Sequence, residues 1–119
     1  MNLEELYAKI NGDYAEIIMR FGKETRVKKF LQMFLRDPSG SELQAAVAAA
    51  DWETAFRAVH TLKGVAGNMS FTGLQKSASE LTEAIRGGKP LEDAALYEAV
   101  CKEYEAVTEG VKAFLEANP

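Results

Sequence analysis

The chain is poorest in the side chains that most often build reactive sites: it holds one cysteine, Cys101, and one histidine, His60. A lone cysteine cannot close an internal disulfide or form a cysteine-based zinc site, which points to a reducing compartment and an expected cytoplasmic location. Long apolar runs are missing too. The longest, Ala45–Ala50, falls far short of the roughly 20 residues that cross a bilayer, so no membrane span is expected. The amino terminus, Met1-Asn2-Leu3-Glu4-Glu5-Leu6, has neither the basic flank nor the apolar run of a secretory signal. Basic charge is in deficit, with 14 Lys and Arg against 18 Asp and Glu and a formal net charge of −4. That balance argues against nucleic acid as a general partner, since phosphate binding needs a basic face. No Gly-x-x-x-x-Gly-Lys-Ser/Thr loop occurs, so an ATP site is not expected. No period-two run of β-branched or aromatic residues is long enough to predict a strand.

What is present is helical periodicity. At 119 residues and 47% hydrophobic content, the chain is long enough for one domain with its own core, expected over 1–119. Met1 and the closing Asn118-Pro119 suggest a complete small protein rather than an excised module. The pattern predicts an all-α fold: an up-and-down four-helix bundle over 24–117, preceded by short helices in an amino-terminal appendage, 1–22. The appendage divides at Asn11-Gly12, with Asp13 capping its second helix. A helix from Glu24 carries Val27, Phe30, Leu31, Phe34 and Leu35 on one stripe and breaks at Asp37-Pro38-Ser39-Gly40. Beyond this kink or new start, Leu43, Ala46, Val47 and Ala50 continue at helical spacing. Asp51 caps the helix that holds His60, from Trp52 to about Gly67 or Met69. The next, from about Phe71 to Arg86, has the stripe Leu74, Ala78, Leu81 and Ile85 and stops at Gly87-Gly88. A last long helix, about Leu91 to Ala117, carries Leu96, Val100, Tyr104, Val107, Val111 and Phe114, with Cys101 expected as a buried small hydrophobe.

On the His60 helix, a turn of about 100° per residue gathers Ala55, Val59, Leu62 and Ala66 into a buried face. His60 then points roughly 130° from the middle of that face, toward solvent. Its surface neighbours are Phe56, Arg57, Lys63 and Gly64, with Gly67 a turn further on. A glycine inside a helix costs about 0.5–1 kcal/mol relative to alanine, and at an outward position packing does not repay it. Clearance for a partner that must approach the imidazole is a sufficient reason for Gly64. Lys63 and Arg57 place positive charge beside the ring, which suits a phosphoryl group better than a metal ion. Phe56 and Phe71 are candidates for the rim of a docking patch.

The run His60-Thr61-Leu62-Lys63-Gly64, with Gly67 beyond it, resembles the His-x-Leu-Lys-Gly signature of histidine phosphotransfer (HPt) domains. Ala49-Ala50-Asp51-Trp52 before it and Leu74 to Arg86 with Gly87-Gly88 after it are similar to the family's flanks, so the resemblance covers about residues 24 to 115. It implies a four-helix bundle acting in a phosphorelay. His60 would accept a phosphoryl group from an aspartyl phosphate on a response-regulator receiver domain or hybrid histidine kinase, and pass it to another regulator. By the same resemblance, attack uses Nε2, Lys63 stabilises the phosphoryl group and Gly64 makes room for the receiver; Gly67, Phe56 and Arg57 are docking candidates from their positions around His60 on the helix. Family members often orient the imidazole through a Gln or Glu on the next helix. The matching position here is Thr82, and on one flank of that helix Gln75, Ser79 and Thr82 are the candidates. The divalent metal, Mg, would belong to the receiver, leaving this chain a monomeric phosphocarrier with no cofactor of its own.

Other readings remain at this level. A lone helical histidine is usually a solvated residue. A metal site lacks a second histidine, a cysteine or a carboxylate at i+3 or i+4 from His60. An adaptor that uses the same face for binding without phosphotransfer is the alternative from another class. Ala55-Phe56-Arg57-Ala58-Val59-His60 is also similar to the phosphoacceptor module of chemotaxis-type kinases.

Overall fold

The computed structural model describes residues 1–119 and is all-helical. Seven α-helices follow in order: α1 (Leu3–Lys9), α2 (Tyr14–Phe21), α3 (Glu24–Phe34), α4 (Ser39–Ala48), α5 (Trp52–Asn68), α6 (Thr72–Ala84) and α7 (Ala94–Ala117), with a 3-10 turn at Arg86–Gly88 between the last two. Local chemistry sets several of the starts. The side chains of Asn2, Asp13, Asp51 and Asp93 each accept a backbone N–H of their own first turn, and at Asn2 the Glu5 carboxylate returns the bond to complete a capping box. These bonds satisfy amide groups that a helix start otherwise leaves open.

The break at Asp37-Pro38 is a true boundary, because α3 and α4 have different neighbours: α3 lies against α2 and α7, and α4 against α5. Helices α4, α5, α6 and α7 pack in sequence, and short connections make the neighbours antiparallel. Gly88 at the end of the α6 segment meets Glu53 at the start of α5, and Gly67 near the end of α5 meets Gln75 near the start of α6. The expected buried face of α5 is observed, with Ala55, Val59, Leu62 and Ala66 all buried. So is the α6 stripe of Leu74, Ala78, Leu81 and Ile85. Two expectations need correction. Ala50 is exposed at φ 54°; its N–H bonds Val47 O while the Asp51 N–H bonds Ala46 O, so it closes α4 in a left-handed cap instead of extending the apolar stripe. Cys101 is half-buried, not wholly enclosed.

The larger correction concerns residues 1–22, which are not an appendage. Leu3, Leu6, Tyr7, Ile10 and Ile17 belong to the single core cluster, with Leu6, Tyr7 and Ile17 at 0% exposure. Backbone bonds run both ways between the α1–α2 turn and the α5–α6 turn: Asp13 N–H to Ser70 O at 2.8 Å and Gly73 N–H to Asn11 O at 2.9 Å. The Tyr7 hydroxyl donates to Met69 O at 2.8 Å, and burial raises its pKa above the ordinary phenol value. Its ring lies 5.7 Å from that of Phe71, whose other aromatic neighbour is Phe34 at 5.1 Å, edge-on. Phe71 is therefore core, fully enclosed, and not the rim of a docking patch. Since α1 is part of the core, Leu6→Ala should cost about 2–5 kcal/mol. Urea unfolding checks this; a detachable appendage would leave the midpoint unchanged.

Candidate functional site

His60 lies at the middle of α5, on the side opposite the buried stripe, and is exposed. Lys63 and Arg57 stand on either flank, since residues three before and three after are displaced in opposite directions about the helix axis. Lys63 leans toward α6 and lines a groove with Gln75, Lys76, Ser79 and Glu83. The Glu83 carboxyl pKa lies below its ordinary value, first through its bond to Arg86, with Lys63 a further positive charge nearby. Arg57 leans the other way, into a groove toward α4 lined by Ser39 and Glu42, and donates to Thr54 Oγ1 at 3.3 Å. The two cations thus bracket His60 from separate grooves.

The two glycines are not equivalent. A Cβ built at Gly64 would meet nothing within 4 Å, so the surface one turn beyond His60 is open. A Cβ at Gly67 would come 2.9 Å from Gln75 Nε2. Gly67 therefore makes room for a side chain of this same protein. Its carbonyl is also engaged by a residue that sequence reasoning missed. Arg20, from α2, donates through Nη1 to Gly67 O at 2.9 Å, Asn68 O at 2.7 Å and Ser70 Oγ at 3.1 Å. Its other terminal nitrogen faces Glu16 at 3.4 Å. The last carbonyls of a helix lack intrahelical partners and carry partial negative charge, so a cation there is favoured. That rule anticipates a basic residue at the end of α5, but only the packing of α2 shows that Arg20 supplies it. Arg20, Lys63, Gly64 and Gln75 together border a shallow depression of about 430 Å³ beside the histidine helix.

Thr82 does not orient the imidazole. It is 0% exposed, and its hydroxyl donates to Ala78 O at 2.7 Å, the back-bond that a helical threonine makes to its own preceding turn. Ser79 lies in the Lys63 groove and Gln75 over Gly67; neither is hydrogen-bonded to His60. The aromatic contact of the imidazole is with Phe56, one turn earlier on α5. The ring centroids are 6.1 Å apart and the planes 17° from parallel. Phe56 in turn lies under the guanidinium of Arg86, 5.5 Å from ring centroid to Cζ. No group of three or more His, Cys, Asp or Glu side chains is placed to hold a metal ion, and no helix is long and apolar enough to cross a membrane.

The arrangement offers one nucleophilic ring in solvent, a primary amine on one flank, a guanidinium on the other, and an unobstructed approach over Gly64. Alanine at Gly64 should therefore stabilise the helix by about 0.5–1 kcal/mol. Alanine at Gly67 should gain less, because Gln75 must first move. Chemical denaturation of the two variants tests the difference, and equal gains would contradict the contact seen at Gly67.

Comparison with known protein families gives a match to the Hpt domain over residues 29–110. Neither a search of curated proteins nor one of solved structures gave a match.

Proposed function

The chain belongs to the Hpt domain family, the modules of histidine phosphotransfer in phosphorelays, and from that premise we propose that His60 is its phosphoacceptor. The observation that carries this reading is the exposed His60 imidazole beside the open surface at Gly64, with Lys63 on its flank. A receiver domain presenting an aspartyl phosphate would approach over Gly64. With the ring proton on Nδ1, the lone pair of Nε2 attacks phosphorus. An N–P bond forms as the bond between phosphorus and the aspartyl carboxyl oxygen breaks, and the freed carboxylate leaves with the electron pair. Transfer to a second regulator runs the same step in reverse.

Such a loose transition state asks mainly for alignment and positive charge. Lys63 supplies charge within the α5–α6 groove, and Arg57 adds to the field from the α4 side. The magnesium ion belongs to the receiver's acidic pocket, and this chain acts as a carrier without its own nucleotide site. In that role it would work in the cytoplasm as a monomer, taking phosphate from a hybrid kinase or regulator and giving it to another.

Incubation with phosphorylated receivers is the decisive experiment. We expect label that is acid-labile and base-stable on the wild type and none on His60→Gln. No label on either protein across the host's receivers would leave the adaptor reading, binding without transfer. Gly64→Gln should slow transfer by about tenfold or more, because it fills the approach path at the reacting group. Transfer at the wild-type rate would show that clearance at Gly64 is not required.

A further inference from the structure

An exposed histidine on a helix has two free torsions, and the second of these is broad and roughly two-fold when nothing constrains it. A phosphoacceptor with a freely turning ring would present no fixed plane to an incoming phosphorus. In this chain the position from which a hydrogen bond across the helix pair was expected holds Thr82, which faces the core and is bonded to Ala78 O. The ring is instead held through its face. The Phe56 ring is near-parallel to it at 6.1 Å, within the range of offset aromatic pairs.

Phe56 is itself secured by a residue from another element. Arg86, at the end of the α6 segment, places its guanidinium over the Phe56 ring at 5.5 Å, close enough for a cation–π attraction. Glu83 fixes that guanidinium by a paired contact, Nε to Oε2 at 3.0 Å and Nη2 to Oε1 at 2.6 Å. The fork geometry sets the plane of the arginine as well as its position. Arg86 opens the 3-10 turn that packs against α5, and after it Gly87 and Gly88 turn the chain with positive φ, 77° and 82°. A Cβ at Gly88 would also press on Glu53 at 2.9 Å. The turn that ends α6 and the first half of α5 are thus in close register.

We propose that Phe56 is a positioning residue for the His60 imidazole, and that Arg86, clamped by Glu83, holds Phe56 in place. The inference rests on His60 being the phosphoacceptor. It goes further by assigning ring orientation to stacking within α5 rather than to a hydrogen bond from α6. Stacking engages the face of the imidazole and leaves both nitrogens at its edge unobstructed. It therefore holds the plane of the ring without taking a proton or a lone pair from either.

The test measures the order of the His60 ring in wild type, Phe56→Leu, Phe56→Tyr and Arg86→Ala. Carbon relaxation and three-bond couplings of the His60 side chain report that order in the free protein. Phosphoramidate serves as a receiver-independent phosphoryl donor: its P–N bond breaks, ammonia leaves, and a new N–P bond forms on the imidazole. Wild type and Phe56→Tyr should show an ordered ring. Phe56→Leu and Arg86→Ala should show rotamer averaging, with Phe56→Leu the larger effect. A Phe56→Leu protein that keeps the wild-type ring order overturns the proposal, as does a wild type whose ring is already averaged. Absence of label from every phosphorylated receiver, with labelling by phosphoramidate and this pattern of ring order intact, would count against the relay role alone.

Discussion

The rotation of α5 about its own axis is the constraint on which the site depends, and it is set by burial of Ala55, Val59, Leu62 and Ala66. A shift of one residue position, about 100°, would bring His60 to the place of Val59 and Lys63 to the place of Leu62. Valine and leucine would each lose about 1.5–3 kcal/mol of burial, and an ammonium group would enter the core at a cost of several kcal/mol more. No contact at the site itself approaches that sum. The histidine is displayed because the opposite face of its helix has only one favourable orientation, and Lys63, Gly64 and Arg57 take their places around it for the same reason.

The ends of α5 carry the second constraint. At its start Asp51 accepts the Thr54 N–H, and its carboxyl pKa is lowered by its bonds from Thr54, with Arg57 contributing from nearby. At its finish Arg20 gathers the Gly67 and Asn68 carbonyls. The helix therefore has an acid at the positive end of its dipole and a base at the negative end. That second group comes from α2, which is held to the α5–α6 turn by the Asp13–Ser70 backbone bond. The amino-terminal helices are thus tied both to the core and to the helix that carries the site.

Much of this was legible in the sequence where the signal was local. The caps at Asp13 and Asp51, the apolar stripes of α5 and α6 and the stop at Gly87-Gly88 depend on residues within a turn or two of one another. The outward direction of His60 followed from the same periodicity. What sequence reading missed was decided by distant partners. Leu3, Leu6, Tyr7 and Ile10 form an amphipathic turn whose pattern looks the same on a peripheral helix as on one that fills a core. Gly67 and Gly64 are the same residue on the same helix, and only the position of Gln75 separates the filled one from the open one. Thr82 stands where a polar residue was expected, yet its hydroxyl is satisfied by its own helix.

The aromatic pair of Phe56 and His60 has a physical consequence for the site. Phe56 and His60 are four residues apart on one helix, so the spacing of their backbone positions is set by α5 and survives small shifts of α6. Dependence on α6 enters only one step later, through Arg86 and Glu83. Both of those groups are at the surface, where ionic contacts are weak and screened by salt. Orientation of the imidazole then has a robust part, the stacking along α5, and an adjustable part, the cation over Phe56. A partner that brings its own charges to this face would act on the adjustable part first, while the part set along α5 is less affected.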